Sequence, residues 1–205
     1  MIWNIVKKSA LDTWDEMLFL IIFNIIWLVG TLLVITWPFV TFALFYTARD
    51  VGEGRGIHFS TFFSYGRSML KPAYIWGGIN LAVIIAVWFN LSFYRAIEAS
   101  WASMITLFII SLSVCWVVLQ LIALALYPRL VEPSFKLALR NAAVIVGRYP
   151  IPIFVLLIIV AVLLVVSVLF SALAILISFS IIAILTNNLV ETIVSQELER
   201  KPAEE

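Results

Sequence analysis

Charge is the scarcest property of this 205-residue sequence. Asp, Glu, Lys and Arg together make 12% of it, against 64% hydrophobic residues, whereas soluble domains run at about 25% charged and about 45–50% apolar. With a mean hydropathy of +1.13, the composition excludes an ordinary soluble globule and places the chain among polytopic membrane proteins. One cysteine and one histidine exclude an intrachain disulfide and a zinc cluster. Cys115, inside an apolar tract, reads as a small buried hydrophobe. A net charge of +1 leaves no basic footprint for a nucleic acid. "GEGRG" at 52–56 lacks both the lysine–hydroxyl ending and the preceding strand of a phosphate-binding loop, so it reads as a turn.

What is present is long apolar runs. Charged residues delimit four of them: 17–48, 72–94, 99–128 and 149–190. About 20 helical residues cross the hydrocarbon at 1.5 Å per residue. The second and third tracts therefore predict one helix each, over 73–94 and 102–126, and the fourth is long enough for a hairpin, with its turn expected in "SVLFS" at 167–171. The first tract is ambiguous by length, and the basic residues arbitrate. If tracts one and four both return, Lys7, Lys8, Arg49, Arg55, Arg67, Lys71, Arg129, Lys136, Arg140, Arg148, Arg200 and Lys201 share one side and Arg95 alone takes the other. If tract one crosses once, both N-terminal lysines move outside. The positive-inside rule favours the first layout: an all-α polytopic protein with six membrane segments (five being the alternative) and both termini cytoplasmic.

In this layout the outer turn of the first hairpin falls at Gly30, Trp37 and Pro38. Gly30 loosens the first helix, Trp37 anchors at the interface, and Pro38 opens the second helix in its first turn. The chain is read as one helical transmembrane domain over 1–205, with an interfacial N-terminal segment at 1–13 and a polar cytoplasmic tail at 191–205. Lys7–Lys8 has the look of a signal-peptide start, but three acids intervene and no small-residue cleavage site follows, so the segment is expected to be retained. Trp14, Tyr46, Tyr74, Trp76, Tyr127 and Tyr149 are expected near the inner interface, with Trp37, Tyr94 and Trp101 near the outer one.

Both longer loops show the helical i, i+3, i+4, i+7 stripe. Phe59, Phe62, Phe63, Gly66, Met69 and Leu70 align in the first. Phe135, Ala138, Leu139, Ala142 and Val146 align in the second, with Pro133 expected in its first turn. These predict two basic amphipathic helices in the cytoplasmic headgroup layer. Arg67, Lys71, Lys136, Arg140 and Arg148 are the candidate contacts for lipid or a protein partner. Each loop also closes on Gly-Arg followed by Pro, a faint parallel repeat of the kind transporter folds use.

The apolar segments contain no ionisable side chain, and such groups at depth are what proton-coupled transport and intramembrane catalysis use. The reading is therefore of no enzyme, cofactor or metal. The remaining polar candidates are amides, Asn24, Asn80 and Gln120 above all, which either bond helix to helix or line a polar seam. His58 stands without a nucleophile or carboxylate set and reads as solvated.

"NIIW" (24–27), "WPFVTFAL" (37–44) with Arg49 beyond it, "FF" followed by Arg67 and Lys71, and "LYPRLVEPSFKLALRNA" (126–142) with a later "YP" resemble the YesL-like family. Phe39 departs from the small residue usual after that proline. The resemblance implies a bacterial plasma-membrane protein of unknown activity, linked by analogy to carbohydrate uptake. The expectation is a transport-accessory or permease-like component, embedded in the lipid bilayer, alone, as a homo-oligomer or in a transporter complex. The alternatives are a stand-alone small-solute transporter or channel, and a non-transporting scaffold or sensor.

Overall fold

The structure, a computed structural model, describes residues 2–200, without the side chains of 173, 174 and 200. The described residues form ten α-helices and one 3₁₀ turn, with no strand. α1 (Ile2–Asp15) meets α2 (Met17–Leu32) at 90°. A four-residue turn leads to α3 (Trp37–Gly52), followed by α4 (Phe59–Ser68), α5 (Leu70–Arg95) and α6 (Ser100–Leu126), which runs into the 3₁₀ turn Tyr127–Arg129. α7 (Phe135–Arg148), α8 (Pro150–Leu169), the short α9 (Ser171–Leu176) and α10 (Ser178–Arg200) complete the bundle. α5, α6 with its 3₁₀ turn, α8 and α10 are each long and apolar enough to cross a membrane, and the bent α1–α2 pair makes a fifth candidate. The apolar helices thus fit a membrane protein with four or five candidate spans.

The centre of the bundle is α3, of whose 16 residues 13 are buried. Three neighbours reach its N-terminal turns through glycines. A Cβ at Gly30 of α2 would lie 2.7 Å from Val40, one at Gly66 of α4 would overlap the Phe39 ring, and one at Gly77 of α5 would overlap Pro38. Small residues at such crossings let backbones close up where lipid supplies no hydrophobic drive. Gly30 therefore stays inside α2 as a packing point. Pro38 does sit in the first turn of α3, where its missing N–H costs nothing. The turn between α2 and α3 holds Val34 at φ 54°, a strained setting for a β-branched residue, and Thr36 Oγ1 ties it by donating to Gly30 O at 2.6 Å. At 52–56 the chain does turn, with Gly54 at φ 67°.

The C-terminal half of α10 gathers the other elements at one end of the bundle. Asn187 Nδ2 donates to Phe45 O of α3, and Asn187 Oδ1 accepts from Arg129 at 2.7 Å. Asn188 Nδ2 donates to Ser9 Oγ and Asp12 Oδ2 of α1, and Lys8 pairs with Glu191 at 3.0 Å. Glu197 accepts from Arg148 and from the Tyr149 hydroxyl. Nearby, buried Asp50 accepts from Arg49 at 2.7 Å and from the Tyr65 hydroxyl of α4. Burial, then the facing carboxylate, raises the Tyr65 phenol above the ordinary tyrosine range.

Several expectations change here. Residues 191–200 are helical, with Ile193 fully buried, so the polar tail expected from 191 is in that part packed helix; residues 201–205 lie outside the described ones. Tyr46, Trp76 and Tyr127 are buried core residues, and Trp37 packs on Trp76 at 5.0 Å between ring centroids. Among the aromatics expected at the interfaces, Trp14, Tyr74 and Trp101 are exposed. Cys115 is exposed on α6, because an apolar tract alone does not say which of its faces meets lipid. Pro133 precedes the Ser134 N-cap of α7 and so stands outside its first turn. The apolar stripe of α7 is largely covered by protein, whereas that of the first loop is divided, with Phe62 and Gly66 buried and Phe59, Phe63 and Leu70 exposed. Phe62 is fully buried and stacks on Phe23 at 4.5 Å, and Ala138, Ala142 and Ile145 are buried on the face of α7 toward the bundle.

Replacing Gly77 with Leu is expected to lower stability in detergent by about 1–3 kcal/mol, because Pro38 has nowhere to retreat. Gly78→Leu, with nothing within 4 Å of its Cβ position, is expected to leave thermal unfolding unchanged. Equal melting temperatures for the two variants would refute the close α3–α5 approach.

Candidate functional site

Three helices present stripes at four-residue spacing toward one cavity of about 300 Å³. α5 contributes Trp76, Asn80 and Ile84; α6 contributes Trp116, Gln120 and Leu124; α3 contributes Trp37, Thr41 and Phe45. Residues i, i+4 and i+8 share one face of a helix, so each stripe follows directly from helix geometry. Trp27 of α2, Val160 and Leu164 of α8, and Phe179 and Ile182 of α10 close the rest. Four indoles thus line a cavity whose polar side chains are Asn80, Gln120 and Thr41, and no ionisable side chain borders it.

The indoles and amides exchange partners across the α5–α6 interface. Trp76 Nε1 of α5 donates to Gln120 Oε1 of α6 at 2.8 Å, and Trp116 Nε1 of α6 donates to Asn80 Oδ1 of α5 at 3.0 Å. Asn80 Nδ2 donates to Trp76 O at 2.9 Å and to Gln120 Oε1 at 3.3 Å. Trp27 Nε1 donates to Thr41 Oγ1 at 3.1 Å. Two donors meet Gln120 at the same atom, and that atom must be the carbonyl oxygen. The amide orientation, normally an inference from the surrounding network, is therefore fixed by chemistry. Its consequence is that Gln120 Nε2 is directed elsewhere; it is buried and has no hydrogen-bond partner among the described residues. An unsatisfied buried donor costs about 1–3 kcal/mol.

Asn24 does not join this seam. It bridges the break between α9 and α10: Asn24 Oδ1 accepts from Phe179 N at 3.0 Å and Ser180 N at 3.1 Å, and Asn24 Nδ2 donates to Ile175 O at 2.8 Å. These are helix-terminal backbone groups without partners in their own helix, so one side chain from α2 satisfies a break in the chain returning from α8. Ser167 and Ser178, 2.6 Å apart at their hydroxyls, and Ser180 Oγ donating to Leu20 O complete the junction. The break adjoins the cavity, since Phe179 lines it and packs at a tilt on Trp27, 3.9 Å between ring centroids.

The basic candidates lie elsewhere. Arg67, Lys71, Lys136, Arg140 and Arg148 are all exposed, and of these five only Arg148 forms an ion pair among the described residues, with Glu197. His58 is the exposed N-cap of α4. Among the described residues no three His, Cys, Asp or Glu side chains gather as a metal site. The tryptophans are what reading the sequence misses. The signal was available: Trp76 precedes Asn80, and Trp116 precedes Gln120, each by one helical turn.

A double-mutant cycle on Asn80→Leu and Gln120→Leu tests the exchange. Each single change orphans one indole N–H and is expected to cost about 1–3 kcal/mol. The double variant should lose less than the sum, with a coupling of about 0.5 kcal/mol or more. Strict additivity in chemical unfolding would mean the two amides act independently. No family model, curated protein or solved structure matches the chain.

Proposed function

We propose that the chain is a permease-like or transport-accessory membrane protein whose tryptophan cavity is its ligand site. The observation behind this reading is the cavity itself: four indoles and a reciprocal amide exchange, with one buried amide donor left over, beside a broken helix. Discontinuous helices satisfied from neighbouring segments are how transporter folds place binding sites within the bilayer. The lining is uncharged, and burying an unpaired charge costs several kcal/mol, so the ligand is uncharged. The YesL-like resemblance adds a bacterial plasma membrane and a link to carbohydrate uptake, and the exposed basic residues of α4, α5 and α7 offer a docking surface for a transporter partner or lipid headgroups.

The topology proposed with this function has six membrane segments: α2, α3, α5, α6, α8 and α9–α10 together. α1 lies in the interface, α4 and α7 are cytoplasmic, and both termini are inside. The end of the bundle gathered on α10 holds most of the basic residues, in keeping with the positive-inside rule. At 16 residues each, α2 and α3 reach about 24 Å. Their exposed apolar tip, Leu32 to Ile35, suits a short hairpin that ends within hydrocarbon and thins the membrane around it.

Two measurements test these readings. In detergent, a panel of uncharged probes (glucose, benzamide and a fatty-acid methyl ester) is expected to include at least one that raises the melting temperature and shifts tryptophan emission saturably. The response should fall at least tenfold in Gln120→Leu. No saturable response to any probe overturns the ligand site. For topology, a cysteine at position 7 in a Cys115→Ala background is expected to resist membrane-impermeant thiol reagents in intact cells and to react in inverted vesicles. Labelling from outside would favour five crossings.

A further inference from the structure

Acidic residues are missing from the two stretches that carry the loop helices. Between Glu53 and Glu98, and again between Glu132 and Glu191, the sequence has no Asp or Glu. α4, α5, α7 and α8 lie inside these stretches, so none of them offers a carboxylate to Arg67, Lys71, Lys136 or Arg140. All four cations are exposed and form no ion pair among the described residues. Lys8, Arg49, Arg55 and Arg148, by contrast, pair with Glu191, Asp50, Glu53 and Glu197, and Lys7 shares α1 with Asp12 and Asp15. Lys136 and Arg140 stand one turn apart on α7, while Arg67 and Lys71 bracket the break between α4 and α5 at Met69. α5 touches both α4 and α7, so the four stand on contiguous helices. Large apolar side chains share their exposed faces. Phe59, Phe63 and Arg67 follow at four-residue spacing on α4, Leu70 and Tyr74 accompany Lys71 on α5, and Val144 follows Arg140 by one turn on α7; each of these apolar residues is exposed.

Resting on the membrane topology proposed above, we infer that this face of α4, α5 and α7 is a seat for anionic phospholipid. The four cations meet headgroup phosphates of the cytoplasmic leaflet, and the neighbouring rings and aliphatic side chains enter the acyl boundary. Charge complementarity selects the lipid class. A face turned to water interleaves acids with its bases, and these helices have none. A zwitterionic headgroup brings its own ammonium, whereas four unanswered cations call for net negative charge. Depth selects lipid over an acidic protein. α4 passes into α5 through Met69 alone, and α7 into α8 through Tyr149 alone, and both α5 and α8 are long and apolar enough to cross. Without a linker the loop helices stay at the level where a span ends, and there basic amphipathic helices settle among the headgroups. Lys and Arg stems lie along apolar surface while their charged ends reach phosphate.

A local reporter tests this on the full chain in phosphatidylcholine bilayers. Ala143→Cys, at an exposed position of α7 one turn beyond Arg140, carries a bimane label in a Cys115→Ala background, and brominated phosphatidylglycerol or brominated phosphatidylcholine is titrated in as quencher. Phosphatidylglycerol is expected to be favoured about fivefold or more, the ratio that one Lys or Arg gains at an anionic surface, and molar salt should reduce the preference. Lys136→Gln with Arg140→Gln should bring the two lipids to equality. Arg55→Gln with Arg148→Gln removes as much charge, but from paired cations, and should leave the preference in place, which separates the seat from overall charge. Equal quenching by the two lipids, or a preference that outlasts Lys136→Gln with Arg140→Gln, overturns the inference. A membrane-impermeant amine reagent is expected to acetylate Lys71 and Lys136 in inverted vesicles, at similar rates in native membranes and in phosphatidylglycerol vesicles of the purified chain. Shielding in native membranes alone means that a protein covers the face and overturns the lipid seat. Acetylation from outside intact cells overturns the topology with it, whereas loss of the lipid preference with acetylation from inside leaves the topology standing.

Discussion

A carboxamide that leaves water must find partners in protein, and α10 carries two adjacent ones, Asn187 and Asn188, both essentially inaccessible to solvent. Pairing them draws α1, α3 and the end of α6 onto a single helix. An alternative packing would leave these buried amide donors unpaired, at about 1–3 kcal/mol each. α10 has the lowest hydropathy of the candidate spans and by far the largest buried share, and the two properties belong together. A helix this polar is stable in an apolar setting when its neighbours surround it. The ion pairs added at its end, Lys8–Glu191 and Arg148–Glu197, involve partly exposed groups and contribute little by comparison.

The same logic shapes the other end of α10. Where α9 stops and α10 starts, free backbone groups would be costly away from water, and Asn24 supplies both an acceptor and a donor to them. Thus the two ends of one helix are settled by amides, one set its own and one borrowed from α2. Between them lies the cavity, walled by α3, α5 and α6. Of its amide groups, those of Asn80 and Gln120, Gln120 Nε2 alone has no partner among the described residues. This unpaired amide donor on the wall of a volume large enough for a small molecule gives the function its most specific clue.

Much of the helix layout could be read from the sequence because charge marks its limits. α5 and α6 begin and end within a few residues of the tracts that Lys71, Arg95 and Arg129 bound, and Pro38 sets the start of α3. What could not be read is which face of each helix meets protein. In soluble helices polarity separates the faces, whereas here lipid and core are both apolar, so Trp76 and Trp101 look alike as letters yet differ from 3% to 52% in exposure. Cys115 fails for the same reason. The α9–α10 break carries neither Gly nor Pro at Ile177 and is held by a residue about 150 positions earlier in the chain. Asn80 and Gln120 were identifiable as amides within apolar helices, but their indole partners were visible only as a Trp one turn ahead of each.

The indole–amide exchange between α5 and α6 has a consequence for how this protein can evolve. Trp76 answers to Gln120 and Trp116 to Asn80, so a change at Asn80, Gln120 or Trp116 strands a polar group on the facing helix, and one at Trp76 leaves Gln120 Oε1 only the longer bond from Asn80. A smooth path to a different lining therefore runs through simultaneous replacement on both helices, and drift at three of the four positions costs about 1–3 kcal/mol. The four residues form one heritable unit, and a descendant with another ligand would be expected to have exchanged the whole quartet while leaving the surrounding aliphatic wall free to vary.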